Sequence, residues 1–257
     1  SSDLALGMTT QQRMGSPEEL FSGSFTDGSA ANLTLEPNSS GGSYDADDKV
    51  SAAYAMAELP LSGRLRLIGG ARVERWTLDM NAEPTSRAVI NIKRVNTDLL
   101  PSVVLNATLS ENSALRVSAS QTLARPEYRE LAPISYRDML GDREEFGDSS
   151  LVRTLVQNYD LRWEWYPDPS EVFSVGLFAK RFQNPIEAVD VATSGASALG
   201  YVNAESATNY GVEIEMRKGL GFLSERLAGY SVFANTTFMH SRINTGNSLL
   251  SAISNPE

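Results

Sequence analysis

The sequence predicts an all-β protein, and more narrowly an antiparallel transmembrane β-barrel, present here as a partial barrel of roughly eight long strands. Three observations carry that expectation. Apolar and polar residues alternate with period two through most of residues 48–243, the signature of extended chain with one apolar side. The alternating runs are long: about ten residues at ~3.3 Å each, tilted ~45°, span roughly 23 Å, close to the ~25 Å apolar band of a membrane barrel. The connections alternate between short turns (60–63, 110–113, 167–170) and long loops (81–96, 125–150, 188–205). A soluble sandwich has no reason to segregate loop lengths in this way, whereas barrels that span a membrane do.

The clearest element is Asn158 to Phe182. Leu161, Trp163 and Trp165 fall on one face, with Asp160, Arg162 and Glu164 on the other. After the Pro167-Asp168-Pro169-Ser170 turn, Phe173, Val175 and Leu177 again share a face. This predicts a β-hairpin, within 151–187, whose aromatic, apolar side carries Trp163, Trp165, Phe173, Val175 and Leu177 as candidates to face lipid. Trp163, Trp165 and Tyr166 beside the turn suit an interfacial aromatic girdle.

In chain order, residues 1–47 are rich in Gly, Ser, Asn and Asp and read as a loop region. Strands are expected at 49–60, 64–80, 97–109 and 114–124, with Gly69-Gly70 marking a bulge or bend in the second. The hairpin follows, then strands at 206–218 and 228–244, separated by a turn at 219–227. Residues 244–257 read as a loop cut short. The polar strand faces carry charges, and Arg116, Asp160, Arg162, Glu164, Glu213, Glu215 and Arg217 are candidates to line a lumen. Most of them are expected to pair with one another across neighbouring strands, which contributes little per pair when hydrated.

Composition narrows the function classes. Lys and Arg number 22 against 32 Asp and Glu, a net charge of −10 over 257 residues. That argues against a nucleic-acid partner, which needs clustered cations. No apolar run approaches the ~18 residues of a membrane helix, which leaves strands as the way to cross. The chain has no cysteine, so disulfides, thiolate metal sites and cysteine nucleophiles are absent. A single histidine, His240, with no GxSxG or HExxH, makes catalysis a poor reading; no enzymatic activity and no cofactor are expected. Asp45, Asp47 and Asp48, and Asp142, Glu144, Glu145 and Asp148, lack the regular spacing of a calcium loop and read as solvated acids, so no metal site is expected.

Four runs carry a resemblance: SASQTLARPEYREL (118–131), NYDLRWEWYP (158–167), EVFSVGLFAKRFQNPIE (171–187) and NYGVEIEMRKGL (209–220). With YDADDKVSAAYAMAELPL and RLIGGARVERWTLD upstream, they resemble the barrel of TonB-dependent outer-membrane receptors over roughly residues 44–243. The resemblance implies a barrel of about twenty-two strands, an N-terminal plug, and energised import of a scarce nutrient through the inner-membrane protein TonB. It places the chain in the outer membrane of a Gram-negative bacterium, with short turns periplasmic and long loops extracellular. The implied partners are outer-membrane lipid, a plug and further strands of the same receptor, TonB, and a small-molecule or glycan ligand such as a siderophore. One departure is local: Gly147-Asp148-Ser149-Ser150 stands where the family often has Gly-Asn-Pro. With no plug ahead of residue 1, the chain is expected to be an interior slice of such a receptor. Two rivals are an uncoupled porin or adhesin barrel and a soluble carbohydrate-binding β-sandwich.

Overall fold

The computed structural model describes residues 42–84, 88–137, 144–193 and 196–246. Eight strands form one antiparallel sheet in which every neighbour pair but two is joined by a single connection in sequence. They are β1 (Ser43–Ser62), β2 (Leu65–Glu83), β3 (Ile90–Ser110), β4 (Ser113–Ala124), β7 (Thr154–Trp165), β8 (Val172–Gln183), β11 (Ser206–Gly219) and β12 (Ser231–Asn244). Up-and-down order of this kind follows from tight turns such as Ser62-Gly63-Arg64, where nothing obstructs direct antiparallel return. Among the described residues β1 pairs only with β2, and β12 only with β11. The all-β antiparallel prediction therefore holds, with β1 and β12 at the edges of the sheet among the described residues.

The strands are longer at the N-terminal side than the sequence suggests. β1, β2 and β3 have 20, 19 and 21 residues, against 12 to 14 for the other five. The stretch 81–96, read as a loop, is mostly strand, and only 84–89 connects β2 to β3. Its polar residues sit on one side of continuing strands: Asn91 Nδ2 donates to Asp79 Oδ1 and Asn81 Oδ1 at 3.0 and 2.7 Å, and Lys93 pairs with Asp79 at 3.0 Å. The loop expectation rests on polarity and on Pro84. Pro84 does lie in the connection, just past the end of β2, while the polarity marks a hydrated face of continuing strands. Similarly β1 begins at Ser43, so residues 43–47 join the sheet. Residues 1–41 and 247–257 lie outside the described residues.

β3 outruns β4. Its pairing with β4 starts at Ser102, immediately after Pro101, which has no N–H to give a neighbour. Gln121 Nε2 donates to the Leu99 carbonyl at 3.0 Å, and a side chain thus takes over where the backbone ladder stops. Gly69-Gly70 makes no bulge, because the register of β2 with both neighbours runs through it unbroken. Glycine at 70 answers a different need: a Cβ there would meet the Ala55 carbonyl oxygen at 2.5 Å.

The two long connections are structured too. In 125–153, a helical turn α1 (Tyr128–Leu131) precedes β5 (Ser135–Arg137) and β6 (Glu144–Phe146). In 184–205, β9 (Ile186–Thr193) and β10 (Ala196–Asn203) form a hairpin where a loop at 188–205 was expected. Together they make a second, four-stranded sheet, with β6 pairing parallel to β10. The β11–β12 connection, 220–230, holds a 3₁₀ turn at Glu225–Leu227 and is not a tight turn. The contrast in connection length between the two ends thus rests on 125–153 and 184–205.

Candidate functional site: a two-faced wall

Pairing register decides which side chains share a face, because directly opposed residues of an antiparallel pair lie on the same side. One row can be followed across all eight strands: Leu59, Leu67, Leu105, Val117, Leu161, Leu177, Val212 and Phe238. Every member is apolar. The next row toward the short turns, Leu65, Ala107, Leu115, Trp163, Val175, Ile214 and Thr236, is apolar except for its last residue. Trp165 and Phe173 stand one row further, and the rings of Trp163 and Phe173 meet edge to face at 6.1 Å. The register thus collects Trp163, Trp165, Phe173, Val175 and Leu177 on a single face. Leu177 is 48% exposed and Phe238 66%, so none of the described residues covers this surface.

The opposite face collects all seven of the charged candidates. Arg116, Arg162 and Glu213 belong to one row and Glu164 and Glu215 to the next, with Asp160 and Arg217 flanking. Four of them form a single network. Arg162 Nε donates to Glu164 Oε1 at 2.9 Å, Arg162 Nη2 to Glu215 Oε2 at 2.6 Å, and Arg116 Nη2 lies 3.8 Å from Glu164 Oε2. The bond to Glu215 crosses a whole strand. Arg162 is on β7 and Glu215 on β11, and β8 between them offers only Gly176 and Ser174 at these rows. Asp160 accepts from Ser118 Oγ at 3.3 Å. Glu213 and Arg217 have no ion pair among the described residues. Glu164 is buried, whereas Arg162 and Glu215 keep part of their side chains open to solvent, so the Arg162–Glu215 pair contributes little to stability.

At the loop end the same face acquires a cover. Trp76, Leu78, Met80 and Ala82 on β2 and Ile92 on β3 are buried against Leu131, Ala132, Ile134 and Leu151 of the β4–β7 connection. Polar ties hold this cover to the strands. Glu74 accepts from Arg72 and Arg125, each at 2.6 Å, and the Arg125 guanidinium lies 5.4 Å from the Trp76 ring centre. Asp48 accepts from Trp76 Nε1 at 2.8 Å and from Tyr128 OH at 2.9 Å. That bond holds the Tyr128 hydroxyl above its ordinary pKa. Burial pushes Tyr136 up to about 12, and its buried hydroxyl has no hydrogen-bond partner among the described residues. Arg153 binds the buried Asp98 at 2.7 Å, and Arg94 donates to the Ser149 carbonyl. Sequence reasoning missed these ties. The signal was available for Arg125 and Tyr128, which sit in the TLARPEYREL run, and for the alternation Trp76, Leu78, Met80.

A recess below the cover is lined by Arg125, Glu127, Glu130, Thr154, Phe182 and Glu187. His240 lies away from it on the apolar face, with its ring 5.2 Å from Tyr210. Among the described residues no three acidic or histidine side chains converge as a metal site. Asp48 of the first acidic group is engaged as above. Asp142 of the second lies outside the described residues.

The chain matches the family described as TonB dependent receptor-like, beta-barrel over residues 2–255, and it belongs to that family. Its members are transport receptors of the outer membrane. Three solved structures show the same fold: the copper transporter OprC (17% identity, TM-score 0.60, 77% of this chain and 30% of that one), the ferric-catecholate import receptor Fiu of E. coli K12 (15%, 0.56, 79% and 29%), and the alcaligin outer membrane receptor FauA of Bordetella pertussis (17%, 0.52, 80% and 32%). The chain spans about a third of the length of each. No curated protein matches its sequence.

Proposed function

We propose that this chain forms one sector of an outer-membrane receptor barrel that takes up a scarce nutrient, a siderophore, a glycan or a similar small ligand, under TonB drive. The observation that carries the reading is the apolar row running unbroken across eight strands, backed by a charged face. In a soluble sandwich, two-faced sheets bury the apolar side against a second layer. Here the apolar side is bare and the covered side is the charged one. That arrangement suits a wall with hydrocarbon outside and a hydrated lumen inside.

On this reading Trp163, Trp165, Phe173, Val175 and Leu177 meet lipid, while Arg116, Asp160, Arg162, Glu164, Glu213, Glu215 and Arg217 line the lumen, where a plug would rest. The connections 84–89, 125–153 and 184–205 are extracellular, and 166–171 is periplasmic. Epitope tags in 125–153 or 184–205 should be reachable on intact cells, and a tag at 167–170 should not.

Energised uptake is tested with the full-length receptor gene in its host. Deleting the gene should lower accumulation of one class of ferric chelate or other scarce nutrient during starvation, and removing TonB should lower it equally. Accumulation that depends on the gene and is indifferent to TonB would assign the protein to the uncoupled barrels instead.

A further inference from the structure

We infer that the apolar face ends, on β8 and β12, in a site for the phosphate-bearing headgroup of a membrane lipid, made by Arg181 and Arg242. The inference rests on the lipid-facing reading above and goes beyond it by naming a headgroup chemistry. Two rows beyond the all-apolar row toward the loop end stand Gln157, Arg181, Thr208 and Arg242. Between lies a row holding Tyr159, Tyr210 and His240, so the face passes from aliphatic to aromatic to cationic within a few residues.

Like Arg64, Arg75 and Arg217, the two arginines have no side-chain partner among the described residues, and they stand in one register row with a single strand between them. Both are exposed, and neither makes an ion pair or side-chain hydrogen bond among the described residues. Arg162 on the opposite face, and Arg125 and Arg153 in the β4–β7 connection, are all paired with carboxylates. The chain as a whole carries −10, yet the row beyond, Gln183, Ser206 and Asn244, is uncharged. Glu205, past its end, accepts from Asn244 at 3.1 Å. With strands ~4.8 Å apart, the two arginine backbones stand about 10 Å apart across Thr208. That spacing lets both guanidinium groups close on one phosphate over the threonine hydroxyl, and planar guanidinium forks bind phosphate oxygens well.

A lipid fits better than a soluble anion because the cations continue the apolar rows directly. An occupant with acyl chains below and phosphate above matches both halves of the surface. Amphipathic partners with anionic heads are held at such boundaries by charge and by buried apolar area together.

The test uses the full-length receptor in nanodiscs of phosphatidylcholine, with and without phosphatidic acid. Three proteins are compared: wild type, R181Q/R242Q, and K180Q, which removes one cation from the opposite face. Readouts are melting temperature and the number of phosphatidic acid molecules retained in native mass spectrometry. Wild type and K180Q should melt higher with phosphatidic acid and retain it, and R181Q/R242Q should lose at least half of both effects while still entering phosphatidylcholine discs. A double variant that retains phosphatidic acid like wild type overturns the site. So does inorganic phosphate that raises the melting temperature in plain phosphatidylcholine discs as much as the lipid does, since the site would then take a free anion. A wild-type receptor that enters no disc at all would remove the lipid-facing reading and this site with it.

Discussion

β1–β3 and the five shorter strands share a sheet but treat their two faces differently. On β7, β8, β11 and β12 the face carrying Trp163 turns polar only near the loop end, at Gln157, Arg181, Thr208 and Arg242, and the strands stop soon after. On β1–β3 the strands continue, and along β2 the polarity of the two faces exchanges. Along β2, Leu65, Leu67, Ala71 and Val73 on the bare face give way to Arg75, Thr77, Asp79 and Asn81. On the other face Arg66, Arg72 and Glu74 give way to Trp76, Leu78, Met80 and Ala82, all buried. Ser51, Arg75 and Thr97 pair in one row at the exchange.

The difference shows that alternation reveals a two-faced strand without saying which face is buried. The surroundings decide. Beside hydrocarbon the outward side is apolar; in water the outward side is polar and the apolar side turns in toward a protein core. On the proposed lipid-facing reading, the exchange at Arg75 marks the membrane surface on β2. It lies four residues beyond Ala71 (75 − 71), which is level in register with the polar row of the shorter strands. Strands tilted ~35–45° make register rows cross the membrane plane at a slant, and a boundary that climbs along the sheet follows.

Substitutions can break this comparison in graded ways. The largest effect is expected in the cover above the exchange. Met80→Ala removes a fully buried side chain and should destabilise the region by ~2–5 kcal/mol, read as faster amide exchange across 76–82 and 128–134, with the turn-end halves of β7 and β8 unaffected. Equal loosening of both regions would show that they are one cooperative unit and that the contrast is only one of composition.

Next is Leu177→Arg, in the all-apolar row, which should cost ~2–4 kcal/mol if it lies near mid-bilayer. Thr97→Arg, on the same face at the exchange, should cost under ~1 kcal/mol. Urea titration of the full-length receptor in liposomes measures both, and similar costs would erase the boundary. Gly70→Ala presses a methyl group on the Ala55 carbonyl and should cost ~1–3 kcal/mol by overpacking. A silent Gly70→Ala would mean that β1 and β2 can separate freely there.

The smallest effect is expected on the charged face of the shorter strands. A double-mutant cycle on Arg162 and Glu215, a pair left about 32% and 47% exposed, should return a coupling of ~0.2–1 kcal/mol. A coupling several times larger would indicate a face sealed from water, contrary to a hydrated lumen.

Much of this is legible in the sequence. The hairpin 154–183 was found because Leu161, Trp163 and Trp165 alternate with charges and a double-proline turn ends the run. Register across strands was not legible, yet both face assignments came out uniform, because a single alternation fixes each strand's sides whatever its partner. The upper wall was misread. Asp79, Asn81, Asn91 and Lys93 look like loop residues one at a time, and only their chain neighbours Leu78, Met80 and Ile92 reveal a strand whose apolar side has turned inward. The second sheet was missed for another reason: β6 and β10 are short, pair in parallel and lie far apart in sequence, so no local pattern announces them. The network of Arg162 with Glu215 needed Gly176 to be seen between them, and a glycine in a strand reads first as a weakness.

The central claim is that the bare face meets hydrocarbon up to the exchange and water beyond it. This chain has no cysteine, so single cysteines along β2 can carry spin labels in the full-length receptor in liposomes once any cysteine elsewhere in it is replaced by serine. Labels at 67, 71 and 73 should be relaxed by oxygen, which concentrates in lipid, and labels at 77 and 79 by a water-soluble nickel complex. Nickel access at 67 and 71, or oxygen dominance continuing without a break to 79, would contradict the account.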